Sequence, residues 1–164
     1  MADNASVTLS ATILPEEIAK TISGAMTVAP DDANDKWYLK ITNVPHNTGT
    51  ADLISGSFIS EETMGTVHDT VHTADKVKFI FIKHTGTTDG TTATTESLLI
   101  SIDAGTAIHS LVDGIVLRAG ESWFGRLPNT TVADIHAIST NTAVSGVGSG
   151  NVQCIVSALI DDVA

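Results

Sequence analysis

The closing segment of the chain, residues 151–164, is the sequence feature that most limits the fold. It reads NVQCIVSALIDDVA, and Val152, Cys154 and Val156 occupy alternate positions in it. Regular alternation at a chain end is typical of a strand inserted in a sheet, because frayed ends are polar and poorly packed. The segment therefore predicts that this end of the chain is built into a β-structure.

Short strands separated by turns are predicted along the rest of the chain as well. Alternating or β-branched runs such as ASVTLSATI, KWYLKITNV and KVKFIFIKH are divided by Gly, Pro, Asn and Asp. They amount to about eight to ten strands with turns every eight to twelve residues, and PEEIAK at 15–20 predicts a single helical turn. We therefore expect an all-β fold, jelly-roll-like or a related antiparallel β-sandwich, with at most one short helix. Residues 1–164 are predicted to form one domain, with 1–13 either an extended N-terminal arm or an edge strand.

One hairpin is predicted in the middle of the chain. KVKFIFIKH (76–84) is expected to pair with ESLLISID (96–103) across the loop TGTTDGTTATT (85–95). Both faces of the first strand are partly apolar, which favours a central position in a sheet. The loop itself is interpreted as exposed and mobile.

Charge and composition exclude several functions. Nineteen acidic against eight basic residues give a net charge of −11, whereas nucleic-acid binding needs clustered Lys and Arg. Only 16% of residues are charged, so Thr, Ser and Asn must cover the surface, and such a surface is easily buried in a protein contact. We expect a homo-oligomer. No secretion signal and no apolar run of the roughly 20 residues that span a bilayer are found, so a soluble protein without membrane contact is expected.

Candidate metal and catalytic residues are few. His68 and His72 flank Asp69 in TVHDTVH, but on a strand the two imidazoles lie roughly 13 Å apart, so we interpret them as ordinary loop or surface histidines. DDANDK at 31–36 has oxygen ligands but lacks the glycine and distal glutamate of a calcium loop, and a turn is preferred. Cys154, the single cysteine, is predicted to be a small buried hydrophobe. No enzyme activity, metal or cofactor is predicted.

Trp123, Phe124 and Arg126 form the candidate interface. They follow the turn-like sequence RAGE. Aromatic residues beside a turn mark an interface anchor or a platform for a sugar, although Trp123 can equally fill one end of the sandwich. The three residues are therefore a predicted contact site with these alternatives open.

A family resemblance bears on function. DANDKWYLKITNV, TADKVKFIFIKHT, DGIVLRAGESWFGRLPNTTVADIHAIS and CIVSALIDD resemble a group of small virion proteins of tailed bacteriophages, especially marine and cyanobacterial phages. The resemblance implies a non-enzymatic structural protein, a capsid decoration or knob-like protein that binds the major capsid protein. It would be assembled into the virion in the host cytoplasm. A tail or fibre component and a host-glycan-binding module, acting through Trp123 or the 85–95 loop, are the alternatives.

Overall fold

The structure of the protein is a computed structural model that describes residues 4–13, 20–46, 51–59, 68–105, 107, 114–140 and 150–163. These residues are almost entirely extended. They form twelve strands: β1 (Ala5–Ile13), β2 (Lys20–Val28), β3 (Asp35–Val44), β4 (Ala51–Asp52), β5 (Ser57–Ile59), β6 (His68–Thr70), β7 (Lys76–His84), β8 (Ser97–Ser101), β9 (Ile115–Leu117), β10 (Ser122–Thr131), β11 (His136–Thr140) and β12 (Val152–Asp161).

Eight of these strands build two four-stranded antiparallel sheets. Sheet I has the order β10-β7-β12-β3 and sheet II the order β4-β11-β8-β9. Numbered one to eight along the chain, with the β1–β2 and β5–β6 hairpins set aside, the orders are 6-3-8-1 and 2-7-4-5. This is the strand order of a jelly roll, in which Greek-key connections cross repeatedly between two sheets. The predicted all-β sandwich is confirmed.

The closing strand lies inside sheet I, as its alternation predicts. β12 pairs with β3 from Val152 to Asp161 and with β7 from Cys154 to Asp161. A strand bonded on both sides satisfies its backbone donors and acceptors within the sheet. β7 is also central, between β12 and β10, as its two apolar faces indicated.

The predicted hairpin of β7 with β8 is wrong. β7 belongs to sheet I and β8 to sheet II, where β8 pairs with β11 and β9. The loop 85–96 therefore connects the two sheets. Turn-forming composition shows where a strand ends but does not show whether the next strand pairs with it, and in a jelly roll consecutive strands often change sheets.

The region of β10 and β11 contains two local irregularities. At NTT the register shifts between Arg126 and Thr130 within a continuous β10, and Asn129 takes a positive φ of 54°. A 3-10 turn at Val132–Asp134 follows, and β11 begins at His136. The PEEIAK turn lies mostly outside the described residues.

The main core lies between the two sheets. Its members alternate with outward residues along each strand, so one face of every strand is apolar and enclosed. The inward side chains come from both sheets and from the connections between them: Tyr38, Val44, Leu53, Ile54, Phe58, Val77, Ile80, Ile82, Leu98, Ile100, Leu117, Leu127, Val132, Ile135, Ala137, Val152, Cys154, Val156, Ala158 and Ile160.

The chain divides into two compact units, Met1–Ala33 and Asn34–Ala164, and the sandwich strands belong to the second. In the first, β1 pairs with β2 along its whole length, from Ala5 opposite Val28 to Ile13 opposite Lys20. Cross-strand partners share a face, so Val7, Leu9 and their neighbours form an apolar face opposite one of Ser and Thr. The single domain over 1–164 stays a prediction. Nowhere in the described ranges is there a helix long and apolar enough to cross a membrane.

Candidate interaction face

The outer face of sheet I, the side turned away from the core, carries large apolar side chains. On β3, Leu39 and Ile41 point outward and each exposes 62% of its surface. Tyr38 and Val44 point inward and are enclosed. The more apolar face of this strand is therefore the one that solvent reaches, which is the reverse of the usual arrangement of a half-buried strand.

Inward contacts hold β3 in this orientation. The Tyr38 ring packs against Phe58 with the ring centroids 5.1 Å apart. The Lys40 Nζ donates a hydrogen bond to the Ser55 carbonyl at 2.7 Å. A slip of one residue would exchange the two faces, so these contacts and the ten-residue pairing with β12 fix Leu39 and Ile41 on the outside.

Strand register places further apolar residues beside Leu39 and Ile41. Residues paired across neighbouring strands of an antiparallel sheet share one face, so the register defines rows of adjacent side chains. Three consecutive rows across β3, β12, β7 and β10, which we call the outer grid, are Trp37, Leu159, Phe79 and Arg126; Leu39, Ser157, Phe81 and Phe124; and Ile41, Ile155, Lys83 and Ser122.

The outer grid is apolar and contains no acidic residue. Eight of its twelve side chains are apolar, two are basic and two are serines, in a chain with nineteen acidic residues. At one edge Trp37 packs edge-on against Phe79, with ring centroids 6.4 Å apart. With strands about 4.8 Å apart and a rise of about 3.4 Å per residue, the grid spans roughly 400 Å². Only part of that area is open to solvent, because Leu159 and Phe79 are buried and the most exposed apolar side chains are Leu39 and Ile41. The accessible apolar surface is therefore on the β3 side of the grid, and a patch of this kind is suited to contact with another protein.

The outer face of sheet II is covered by the chain's own residues. Leu99 and Ile138 are paired neighbours on that face, and both are buried in a small cluster with Ala107. Hydrogen bonds hold the covering segment down: His136 Nδ1 donates to the Gly105 carbonyl at 2.8 Å, and the Ala104 N–H donates to the Asp134 carbonyl at 3.1 Å.

The structure divides the predicted contact site between two faces. Trp123 points inward, is partly buried and packs against the main core, which is the arrangement expected of a residue that fills the sandwich. Its ring lies over Gly125, where an added Cβ would be 3.2 Å from Cζ2, so a larger residue there would displace the ring. Phe124 and Arg126 point outward and belong to the outer grid.

The histidine motif lies partly outside the described residues, so its interpretation as ordinary loop or surface histidines stays a prediction. His68 lies in β6, and its side chain is outside the described residues. Asp69 forms an ion pair with Lys36, whose Nζ is 2.6 Å from Oδ2 and 2.6 Å from Asp162 Oδ2. These two hydrogen-bonded carboxylates raise the pKa of Lys36 above its ordinary range. The backbone N–H of His72 donates to Asp75.

The acidic segment 31–36 contributes to sheet I. Its residues 32–34 form a turn, as predicted, and Asp35 begins β3. Asp35 Oδ1 lies 2.7 Å from Lys78 Nζ, and its side chain is completely enclosed. Pairing of this kind stabilises a buried carboxylate because the neighbouring ammonium compensates the loss of water.

The loop 85–96 is held by its own hydrogen bonds. Asp89 accepts from the Thr91 and Thr92 N–H groups at 2.9 and 2.7 Å and from both hydroxyls. The backbone bonds lower the pKa of Asp89 to about 2. Thr88 and Thr94 close the loop by donating to the carbonyls of Thr92 and Gly86. Asx and ST turns of this type give the loop a defined local structure, although its composition does not favour long strands.

Two side chains that could carry chemistry, Cys154 and His84, are buried within the fold. Cys154 is enclosed, as predicted, and burial raises the pKa of its thiol to about 12. His84, at the end of β7, accepts from the Gly86 N–H at Nδ1, so Nε2 carries the proton and donates to the Glu96 carbonyl at 3.0 Å. Burial lowers the pKa of His84, which is therefore neutral at pH 7.

No match to this chain was found among protein-family models, curated proteins or solved structures. Its function has to be argued from its own strand order and surfaces. Of these, the outer grid is the feature that the sequence did not reveal. Alternation along β3 separates Trp37, Leu39 and Ile41 from Tyr38 and Lys40, but both sets contain large side chains, and only the packing of Tyr38 decides which set is outside.

Proposed function

We propose that this chain is a non-enzymatic structural protein of a tailed-bacteriophage virion, a capsid decoration protein that binds and stabilises the outer shell. The proposal rests on the exposure of large apolar side chains on two strand surfaces, Leu39 and Ile41 on the outer grid and Leu9 and Ile22 on the β1–β2 hairpin. A protein that exposes such surfaces in solution is suited to being covered by other proteins. Its working surface is then a contact, not a cleft.

The fold supports the virion role by analogy. Jelly rolls with these strand orders occur in viral capsid proteins, and also in lectins and cupins. The fold alone therefore does not choose among these functions. The resemblance of the strand and turn sequences to small phage virion proteins favours the first of them.

The β1–β2 hairpin supplies a second surface suited to protein contact. Leu9 and Ile22 expose half or more of their side chains on its apolar face. Contact with another apolar surface would remove Leu9 and Ile22 from water and thereby stabilise the hairpin. We assign the shell contact to this hairpin, which leaves the outer grid for contacts between neighbouring copies.

Stabilisation of the shell follows from repetition. Each copy makes contacts of modest area, but a copy that is attached to the shell meets its neighbours at high effective concentration. Binding that occurs only on the assembled lattice stabilises that lattice by mass action. The expected consequence is a shell that resists the pressure of packaged DNA better when decorated.

Copy number in purified virions tests the proposal. Quantitative mass spectrometry of particles of the phage that encodes this chain should find on the order of hundreds of copies, spread over the shell as symmetry requires. About a dozen copies would instead identify a tail component. Absence of the chain from purified particles would refute any virion role.

The hairpin assignment has its own test. Full-length chain with Leu9→Asp and Ile22→Asp should lose occupancy on undecorated shells in a co-sedimentation assay, because both charges fall on the apolar hairpin face. Thr8→Asp and Ser23→Asp, on the opposite face of the same hairpin, form the matched control. Equal occupancy of both double variants would contradict the assignment.

A further inference from the structure

The outer grid has a shape that limits what can cover it. It is a sheet surface of four strands, and its most exposed apolar side chains, Leu39 and Ile41, lie on the edge strand β3. Sheet faces pack on other sheet faces at about 10 Å, with the side chains of the two faces interdigitated. The best-fitting cover is therefore a second apolar sheet face.

We propose that this cover is a second copy of the same chain, so that two outer grids pack face to face in an isologous contact centred on Leu39 and Ile41. The inference rests on the role of the grid as a protein contact, which the proposed function also uses, but not on the identity of the virion. A symmetric contact of this kind needs only one patch that complements itself.

Charge favours a second copy that approaches through this face. Each chain carries a net charge of −11, so two copies repel each other over most of their surfaces. The outer grid has no acidic side chain, and its two basic residues, Lys83 and Arg126, are on the β7 and β10 side, away from Leu39 and Ile41. Contact centred on Leu39 and Ile41 brings apolar side chains together, while the acidic pair Asp35 and Asp161 lies one row beyond Trp37 and Leu159.

The area available agrees with a weak contact between two copies. Because Leu159 and Phe79 are already buried, two facing grids of roughly 400 Å² each bury less than about 800 Å² together. Asn43 and Gln153 form the next row on one side of the grid, and Asp35 and Asp161 form the next row on the other side. Interfaces at the lower end of the size range are weak or transient in solution. We therefore expect association at micromolar concentrations, strengthened when copies are held side by side.

Sheet II offers no equivalent surface among its described residues. Its outward Leu99 and Ile138 are already covered in the cluster with Ala107. Val116, paired with Leu99 on the same face, is exposed at the edge strand β9. Val116 thus provides a control position: an outward apolar residue on an edge strand of the sheet that should not self-associate.

Sedimentation velocity of the full chain from about 5 to 200 µM tests the inference. The wild-type protein should change from monomer to dimer across this range. The double variant Leu39→Asp, Ile41→Asp should weaken the dimer by about a hundredfold or more, because it buries two facing sets of carboxylates. Val116→Asp should dimerise like the wild type. Leu39→Ser, Ile41→Thr provides a milder variant in case the double aspartate does not fold.

A wild-type chain that remains monomeric throughout this range would overturn the inference. So would a dimer that both aspartate variants retain equally, since the contact would then lie elsewhere. Neither result decides the virion role, because copy number in virions is measured separately. Conversely, if the protein dimerises through the outer grid but is absent from purified virions, the proposed contact is supported and the virion role is refuted.

Discussion

The outer faces of the two sheets differ in how far their apolar side chains are covered. On sheet II, Ile138 is 3% exposed and clusters with Leu99 and Ala107, and His136 on the same strand donates a hydrogen bond to the Gly105 carbonyl. On sheet I, Ile41 occupies an equivalent outward position in a strand of the same fold and is 62% exposed. Leu159 and Phe79 on that face are buried, so the open part of the face is its β3 side, which we propose is the part that meets a partner. This contrast, more than any single residue, is the basis of the functional proposal.

The largest effect should come from truncating the same residue type on the two faces. Ile138→Ala should lower the free energy of unfolding by about 2–5 kcal/mol, because it leaves a cavity between the sheet and its covering segment. Ile41→Ala should change it by less than about 1 kcal/mol when measured at concentrations where the chain is monomeric. Urea unfolding of both variants measures the difference. Similar losses would show that Ile41 is covered within the monomer.

The sequence alone predicts where strands lie but not how they pair or which side chains become neighbours across a sheet. Alternation in residues 151–164 and in KVKFIFIKH correctly predicts two central strands, because a two-residue period is a local property. It does not predict that β7 and β8 lie in different sheets, since pairing depends on the whole chain. It also does not predict the outer grid: Leu39 and Phe124 become neighbours only through β12 and β7, which the chain order does not reveal.

A smaller effect should come from the inward contacts that orient β3. Lys36→Met removes ion pairs to both Asp69 and Asp162 and leaves the two carboxylates without their shared cation. Because the group is partly exposed, we expect a loss of about 1–2 kcal/mol, reduced at high salt. Lys83→Met on the outer grid is the matched control and should change stability by less than about 0.5 kcal/mol. An equal effect of both changes would contradict the role given to Lys36.

Acidification should lower the stability of the fold through the buried His84. The pKa of His84 is lowered in the fold from an ordinary 6.5, so the unfolded chain binds the proton more readily. The stability that neutral His84 contributes is thus present above pH 6.5 and is lost as the pH falls through and below this value. Thermal unfolding from pH 8 to pH 5 should show this decline, and His84→Gln should reduce its slope. An unchanged slope in the variant would assign the decline to other groups.

The smallest effect is expected at Cys154. Its thiol is enclosed, and burial raises its pKa to about 12, so almost no thiolate exists at pH 7. A maleimide or disulfide reagent should leave the native protein unlabelled and modify it only after denaturation. Rapid labelling of the folded chain would show that the interior of sheet I opens readily. An unreactive Cys154 also allows a single introduced cysteine to be labelled selectively.

The most direct test of the central claim compares the two outer faces with one probe. Nitroxide labels at Ile41→Cys and, separately, at Val116→Cys report side-chain mobility by electron paramagnetic resonance as protein concentration rises. We expect the label at position 41 to become immobilised on association while the label at position 116 keeps its mobility. Equal mobility at both positions at every concentration, or immobilisation at position 116 alone, would contradict this expectation.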